Sequence, residues 1–538
     1  MEKKVMPWDK IDRSKEDWEI GVKFLKERAQ KRFELIPVKD LVDRLPEPDA
    51  TDFWEKTNPG FGGLWCAFYY ACVAGASIPN SVVVYHGPQH CATAARMFFV
   101  PYVNNLYWGT PFRFIISSDM SERDTILGAP EKLRKAILDA NRDYKPELII
   151  VAMACAPGVT GEPVEDILEE IRPQIDAKLV FINSPGLITP DEGTMIQICT
   201  RDVWIKLMKE PKRKEKDTLN IVGEYREVWT ERWGVSGNFP STYDEAHRII
   251  SALGLKIKAI LPTAPVSEIE VAPEAEFNAV ICPAWGFPIC HDMRRRFGIP
   301  YSMHAMPIGI ENCTRWVMAI ANHFGKQDQA KAFLDQEIAR IKPVWEEARR
   351  LVKGKVAFVD SAVSHTSINR QLAYAALLQE LGVEDIIYFN VAMSEIVGKR
   401  EMAGYFVNLD IGGKRLNPKY LFWPDPYNIK LSPVEVMEAL GLKPQDVVYV
   451  YGDFCWYAKA PHIDASNMAQ VNTGIHWRRH RNVSTRSIFF TGTYGLLKDI
   501  IRAVKGSRSC RGGRYTLFAR VMGDWTVPKS FKPEEEGI

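Results

Sequence analysis

Short, nearly continuous apolar runs punctuate the chain, each closed by glycine, proline or polar residues and followed by a stretch of helical period. The clearest cover residues 148–152, 179–182, 219–222, 257–261, 279–282, 356–359, 386–389, 447–451 and 487–490. Runs this short and without alternation read as strands covered on both faces. Helices are predicted between them. In residues 243–253, Ala246, Ile249, Ile250 and Leu253 form one apolar stripe, Ser241 or Thr242 can cap the start, and Gly254 can end the helix. The alternation predicts an α/β protein of three doubly wound, Rossmann-like domains with parallel sheets. Ligands of such folds collect at the carboxyl ends of strands.

Two breaks divide the pattern. Lys209-Glu210-Pro211-Lys212-Arg213-Lys214-Glu215-Lys216 is a charged, proline-bearing linker ahead of a new strand. Residues 327–351 read as a long helix bent at Pro343, before Gly354-Lys355-Val356 opens another strand. The domains are therefore placed at 1–215, 216–350 and 351–538. A length of 538 residues agrees with about three domains at ~150 residues each.

Composition adds exclusions. A formal charge of +2 gives no basic excess to draw nucleic acid or an anionic membrane surface. No apolar run approaches the ~18 residues that span a bilayer, and the start, Met1 to Lys10, is too charged for a secretory signal. The expected compartment is cytoplasmic, where thiols stay reduced and available to metals. No GxxxxGK(S/T) sequence occurs, so no nucleotide site of the P-loop kind is expected on this chain.

The candidate chemistry lies in cysteines at turns. Cys66 follows Gly62-Gly63-Leu64-Trp65, Cys91 follows His86-Gly87-Pro88-Gln89-His90, Cys155 precedes Ala156-Pro157-Gly158, and Cys282 ends the run Val280-Ile281. None belongs to a CxxC pair, so a ferredoxin loop or zinc ribbon is excluded. Thiolates at strand-to-loop corners can hold iron–sulfur clusters. Buried cysteine can equally serve as a small hydrophobe, and ten cysteines in 538 residues is an ordinary content.

On this frame the chain resembles the nitrogenase component 1 family, and its α subunit more than its β subunit. His86-Gly87-Pro88 with Cys91 resembles the HGPxxC corner of that family. Ser117-Ser118-Asp119-Met120-Ser121-Glu122-Arg123-Asp124, Gly128 and Glu131-Lys132-Leu133 resemble its TSDxxExDxxFGGxxKL stretch. Cys155 before Pro157-Gly158-Val159-Thr160-Gly161-Glu162-Pro163 is similar to its cysteine-containing IGDD loop. The resemblance implies that Cys66, Cys91 and Cys155, spaced by 25 and 64 residues, supply half the ligands of an 8Fe-7S P-cluster shared with a β subunit. It further implies that Cys282 ligates a nitrogenase-type iron–sulfur active-site cluster, an iron-only 8Fe-9S-C-like form being one option. From Cys282 to the glycine of Gly298-Ile299-Pro300 there are sixteen residues, as in the family pattern. Cys290 competes with Cys282 but falls inside the expected helix. His480 is the candidate second ligand, with Asn482 in the family register and His476, His462 and His365 as lesser candidates.

The departures shape the expected activity. Where dinitrogen-reducing α subunits carry a paired histidine before Arg-Asp, this chain has Ile196-Gln197-Ile198-Cys199-Thr200-Arg201-Asp202. Where they have an arginine-rich loop after a third-domain strand, it has Asp360-Ser361-Ala362-Val363-Ser364-His365. His365 and Gln197 are the candidate proton-relay groups. Within the family the chain resembles reductases of the methylthio-alkane type, which implies cleavage of C–S bonds in small thioethers to methanethiol and hydrocarbon. A diverged dinitrogenase α subunit and a non-enzymatic scaffold for cofactor assembly remain alternatives. The implied partners are a homologous β subunit in an α2β2 complex, an ATP-hydrolysing homodimeric iron protein as electron donor, and a small-molecule substrate.

Overall fold

The computed structural model describes residues 33–42, 71, 75–93, 113–187, 198–223, 242–302, 304–360, 365–389, 418–424, 436–437, 439–451, 469–472 and 488–505. The first strand, β1 (Phe33–Pro37), lies apart from its sequence neighbours and joins the third sheet described below. Next come β2 (Ser81–His86), β3 (Arg113–Ser117), β4 (Leu148–Met153) and β5 (Lys178–Ile182), ordered β3-β2-β4-β5 and parallel throughout. Helices α1 (Pro130–Tyr144), α2 (Cys155–Thr160) and α3 (Val164–Ile171) connect them. Val82, Val84, Ile149 and Val151 pack with Leu133 and Ile137 of α1 and Ile167 of α3. Val83, Tyr85, Ile150 and Ala152 face the main core on the other side. Both faces are covered, so each of the valine, leucine and isoleucine side chains contributes ~1.5–3 kcal/mol of burial and the runs need no polar alternation.

The second sheet contains β6 (Thr218–Val222), β7 (Lys256–Leu261), β8 (Phe277–Val280) and β9 (Tyr301–Ser302) in the parallel order β7-β6-β8-β9. Helix α4 (Thr242–Ala252) buries the predicted stripe of Ala246, Ile249 and Ile250, with Leu253 just beyond it, and Gly254 turns the chain at φ +71°. Helices α5 (Pro283–Phe297), α6 (Ile310–Phe324) and α7 (Gln327–Val352) follow; α7 runs through Pro343 as one element. The third sheet is built from β10 (Val356–Asp360), β11 (Asp385–Phe389), β12 (Tyr420–Pro424), β13 (Val447–Tyr451) and β14 (Ala469–Asn472), with β1 antiparallel on its edge in the order β1-β12-β11-β10-β13-β14. Helix α8 (His365–Glu380) follows β10, and α9 (Phe489–Val504) follows β14. The α/β class of parallel sheets is as expected. Strands β2–β5 lie before residue 215, β6–β9 between 216 and 350, and β10–β14 after 351, while β1 joins the last of these sheets.

Two predicted elements change. The run 487–490 enters a helix, not a strand: Ile488 is extended and Phe489 begins α9. Its apolar residues continue into the buried set Leu496, Leu497, Ile500 and Ile501, a helical spacing that four residues alone do not reveal. Strand β8 stops at Val280, whose carbonyl accepts the Trp316 indole N–H at 2.8 Å, and Cys282 becomes the residue that starts α5.

Polar networks join the layers. The guanidinium of Arg248 on α4 donates to Glu245 (3.0 and 2.8 Å) and to Glu337 on α7 (2.8 Å), and Glu245 also accepts from the Thr491 backbone (3.2 Å) and hydroxyl (3.0 Å) on α9. At the other end of α7, Trp345 donates 2.7 Å to Glu380 Oε1, while Glu380 Oε2 accepts the Glu311 N–H (3.3 Å) at the start of α6. Burial lifts the Glu380 carboxyl to about 7, against the help of these donors. Below pH 4.5 it is protonated whether the chain is folded or unfolded. Between pH 4.5 and 7 the unfolded chain ionises first, so Glu380 withdraws stability across that window, on the order of 3 kcal/mol in all. Glu380→Gln is expected to flatten this part of the stability–pH curve, measured by urea unfolding from pH 4.5 to 8. An unchanged slope would show that the titration belongs elsewhere.

Candidate thiol centres

Parallel pairing of β2 with β4, in register from Ser81–Leu148 to His86–Met153, brings two cysteine corners to one sheet edge. After β2 the chain turns at Gly87-Pro88 into a helical turn, where the Cys91 N–H reaches the Pro88 carbonyl at 3.2 Å. After β4, Ala154 donates to the His86 carbonyl at 2.9 Å and Cys155 opens α2. The approach is so close that a Cβ on Gly87 would lie 2.4 Å from the Ala154 Cβ. Gly158 in α2 packs as tightly on Pro185, at 2.7 Å for the same imaginary atom. Cys91 and Cys155 are half-buried and form no disulfide. Two such thiols leaving neighbouring strands suit a soft metal group that a further thiol completes. Cys66, the expected third, lies outside the described residues. Among the described residues no set of three or more metal-ligating side chains converges.

The second centre is Cys282, fully buried two residues beyond β8. Its backbone is extended at φ −109°, ψ 116°, and its carbonyl accepts the Gly286 N–H at 2.8 Å, which starts α5. Gly223, at the end of β6, presses against this corner: with φ +108°, a Cβ there would sit 2.5 Å from the Cys282 carbonyl oxygen. Gly286 has similarly little room, 2.6 Å from Val280 Cγ1. Helix α5 runs fifteen residues to Gly298, left-handed at φ +68°, so the predicted count from cysteine to glycine spans one helix and its cap. The corner fits a thiolate ligand held rigidly at a strand end, where α/β folds place their sites.

The other described cysteines sit in helical segments and not at a strand end: Cys199 precedes the π-helical turn, and Cys290 and Cys313 lie within α5 and α6, all three buried, with desolvation pushing each thiol up. Cys290 lies within α5, as expected for the weaker competitor. Gln197 and His480 lie outside the described residues, as do His476, His462 and Asn482. His365 is the first residue of α8, and its backbone alone is described. A wide π-helical turn, Thr200–Ile205, begins three residues after Gln197. Sequence reasoning singled out His86 only as part of a motif. The structure makes it a fully buried ring between Ser118 and Glu162, signalled in the sequence only by a histidine closing an apolar strand.

Residues 66–394 match the family described as nitrogenase component 1 type oxidoreductase. The chain belongs to this family. Among relatives, the nitrogenase molybdenum-iron protein alpha chain of Methanothermobacter marburgensis is 26% identical over 338 residues, covering 59% of this chain and 67% of its own. The nitrogenase iron-molybdenum cofactor biosynthesis protein NifE of Nostoc is 24% identical over 344 residues, covering 61% of this chain and 65% of its own. The chain thus spans about two thirds of the length of these relatives. A structure of nitrogenase Cp1 at pH 5 superposes with a TM-score of 0.61 over 83% of this chain and 88% of that one, at 18% identity, a likeness of fold. As a nitrogenase component 1 protein, the chain carries Cys91, Cys155 and Cys282 all within the matched span.

The packing makes a prediction about this component 1 corner. Gly223→Ala brings a methyl against backbone atoms that cannot yield, at a φ that L residues rarely adopt. We expect a loss of roughly 2–4 kcal/mol in stability, read by urea unfolding, whereas Gly254→Ala, with open space around it, should cost about 1 kcal/mol.

Proposed function

We propose that this chain is the catalytic α-type subunit of a cytoplasmic iron–sulfur reductase that cleaves small methylthio-alkanes. The reaction takes two electrons and two protons: R–S–CH3 gives R–H and CH3SH, the C–S bond to R breaking. The observation that carries the reading is the presence of two separate thiol centres on one chain, a half-buried pair on the first sheet and a fully buried thiol on the second. In this reading Cys66, Cys91 and Cys155 hold their half of the P-cluster, the β subunit supplying the rest, and Cys282 with His480 holds the active-site cluster. Bound there, an iron–sulfur group supplies stored electrons to a soft thioether sulfur. Gln197 and His365, standing where dinitrogen-reducing relatives have histidine and arginine, provide the proton path and a less charged pocket. Within this chain, burial of Cys282 keeps bulk water from the thiol itself.

Electrons arrive from the iron protein, which hydrolyses ATP. A surface beside the first centre suits a docking partner: Ile126, Leu127, Val159 and Leu187 are large apolar side chains left exposed. They lie on the short helix Asp124–Leu127, on α2 packed against it, and just beyond β5. A second reading, a scaffold on which a nitrogenase cofactor is assembled, is favoured by the similarity to NifE proteins.

Anaerobic turnover of the purified complex with iron protein and ATP tests the main reading. Dimethyl sulfide and 2-(methylthio)ethanol should yield methanethiol, detected by gas chromatography, and Cys282→Ala should reduce the yield at least a hundredfold with the first-centre iron retained. Ammonia from dinitrogen would instead make it a dinitrogenase. Transfer of cofactor to an apo-reductase without turnover would make it a scaffold. Leu127→Asp should lower iron-protein-dependent turnover at least tenfold while leaving the circular dichroism melt unchanged.

A further inference from the structure

The imidazole of His86 does not belong to either thiol centre, yet it is fully buried where both cysteine corners of the first sheet begin. Nδ1 lies 2.9 Å from Ser118 Oγ, and Nε2 lies 3.2 Å from Glu162 Oε2. The carboxylate favours the tautomer with its proton on Nε2, facing Glu162 Oε2, and this leaves Nδ1 to accept the Ser118 hydroxyl proton while Ser118 Oγ accepts the Gly87 N–H at 3.2 Å. Burial lowers the His86 pKa, partly opposed by Glu162, which agrees with a neutral ring. The Nε2 contact is poorly aligned as a hydrogen bond, and neither of its two atoms has another partner among the described residues. Each therefore depends on the other to offset its loss of water.

Glu162 extends the connection. Its Oε1 accepts the Ala129 N–H at 3.0 Å, its own N–H reaches the Pro157 carbonyl at 3.0 Å, and it follows the Gly161 turn that closes α2. On the other side, the backbone of His86 accepts from Ala154, Tyr85 accepts from Ser118 at 2.9 Å, and Gly87 accepts from Met120 at 3.2 Å. One ring thus meets the segment leading to Cys91, the segment carrying Cys155, and the loop after β3.

We propose that His86 and Glu162 form a positioning pair that locks the Cys155 corner to the Cys91 corner, with Ser118 holding Nδ1. The proposal rests on the reading of these cysteines as cluster ligands, and its consequence there is electrostatic: a carboxylate kept at this junction favours the oxidised form of what the thiols hold. Neither residue touches substrate. Both act through the thiol corners.

Glu162→Gln is the informative variant, because it keeps length and the acceptor for Ala129 but presents N–H to N–H toward His86. Glu162→Asp shortens the arm and keeps the charge. In the full α-type chain with its partner subunit, amide hydrogen exchange in peptides covering 86–93 and 154–163 should speed up at least tenfold in Glu162→Gln and His86→Leu, against less than threefold in Glu162→Asp. In the iron-loaded complex, the first-centre midpoint potential from a redox titration followed by electron paramagnetic resonance should move positive in Glu162→Gln, and far less in Glu162→Asp. Exchange unchanged in all three variants overturns the proposal, as does an equal potential shift in Asp and Gln. Wild-type protein without iron, with exchange accelerated as expected, would retain the positioning pair and defeat the cluster reading instead. His86→Leu unfolding would leave the decision to the two Glu162 variants, of which Glu162→Gln keeps the packing volume.

Discussion

Parallel strand pairing governs everything that follows in this protein. When two neighbours run parallel and in register, their carboxyl ends reach the same edge, and any residue one or two positions past each end meets its counterpart. β2 and β4 do this over six pairs, and the corners carrying Cys91 and Cys155 emerge side by side from a sequence separation of 64 residues. β6 and β8 do it again, so that Gly223 and Cys282 abut. Antiparallel neighbours would have sent these residues to opposite ends. The helices contribute by covering both sheet faces, which lets β2 and β4 be apolar along their full length and leaves chemistry to the edges.

A second layer of constraint joins the sheets. Arg248 bridges Glu245 and Glu337 while Thr491 closes on Glu245, so helices from the second and third sheets share one charge network. The desolvation of such a network makes its net contribution small, but removal of any one member strands the others. Phe489 reinforces the joint from the apolar side: it adopts a left-handed φ of +59°, stacks edge-on to Trp316 at 4.8 Å and donates its N–H to the Pro307 carbonyl at 2.7 Å. Trp316 in turn holds Val280, two residues before Cys282. The buried thiol is therefore braced from α9, the last helix among the described residues, through two aromatic side chains.

Much of the fold was legible because doubly covered strands must be apolar throughout, as in 148–152 and 447–451. The stripe of α4 and its Gly254 ending were equally plain, since an amphipathic helix and a left-handed cap each leave a residue signature. What failed was the distinction between a buried strand and a buried helix start: Phe489 and Phe490 satisfy either, and the deciding residues lie six to twelve positions further on. The pairing of β1 with β12 was hidden because a five-residue edge strand has no local mark of its distant partner. For the site, the cysteines stood out by their turns and Cys282 by its count to Gly298. The roles of Ser118 and Glu162 did not, because a hydrogen bond across three loops depends on where strands place their ends. Cys66, Gln197 and His480 lie outside the described residues.

Complete burial of Cys282 also bears on access. With Gly223 and Gly286 filling the space around its backbone and no exposed surface of its own, the thiol is shielded from collision with any dissolved reagent. Whatever reaches it does so through an opening of the protein, and the frequency of that opening sets the rate. Alkylation, oxidation and ligand arrival at this sulfur are then governed by one clock, kept by the packing between the second and third sheets, and concentration outside ceases to be the limiting quantity once the entrant outpaces reclosure.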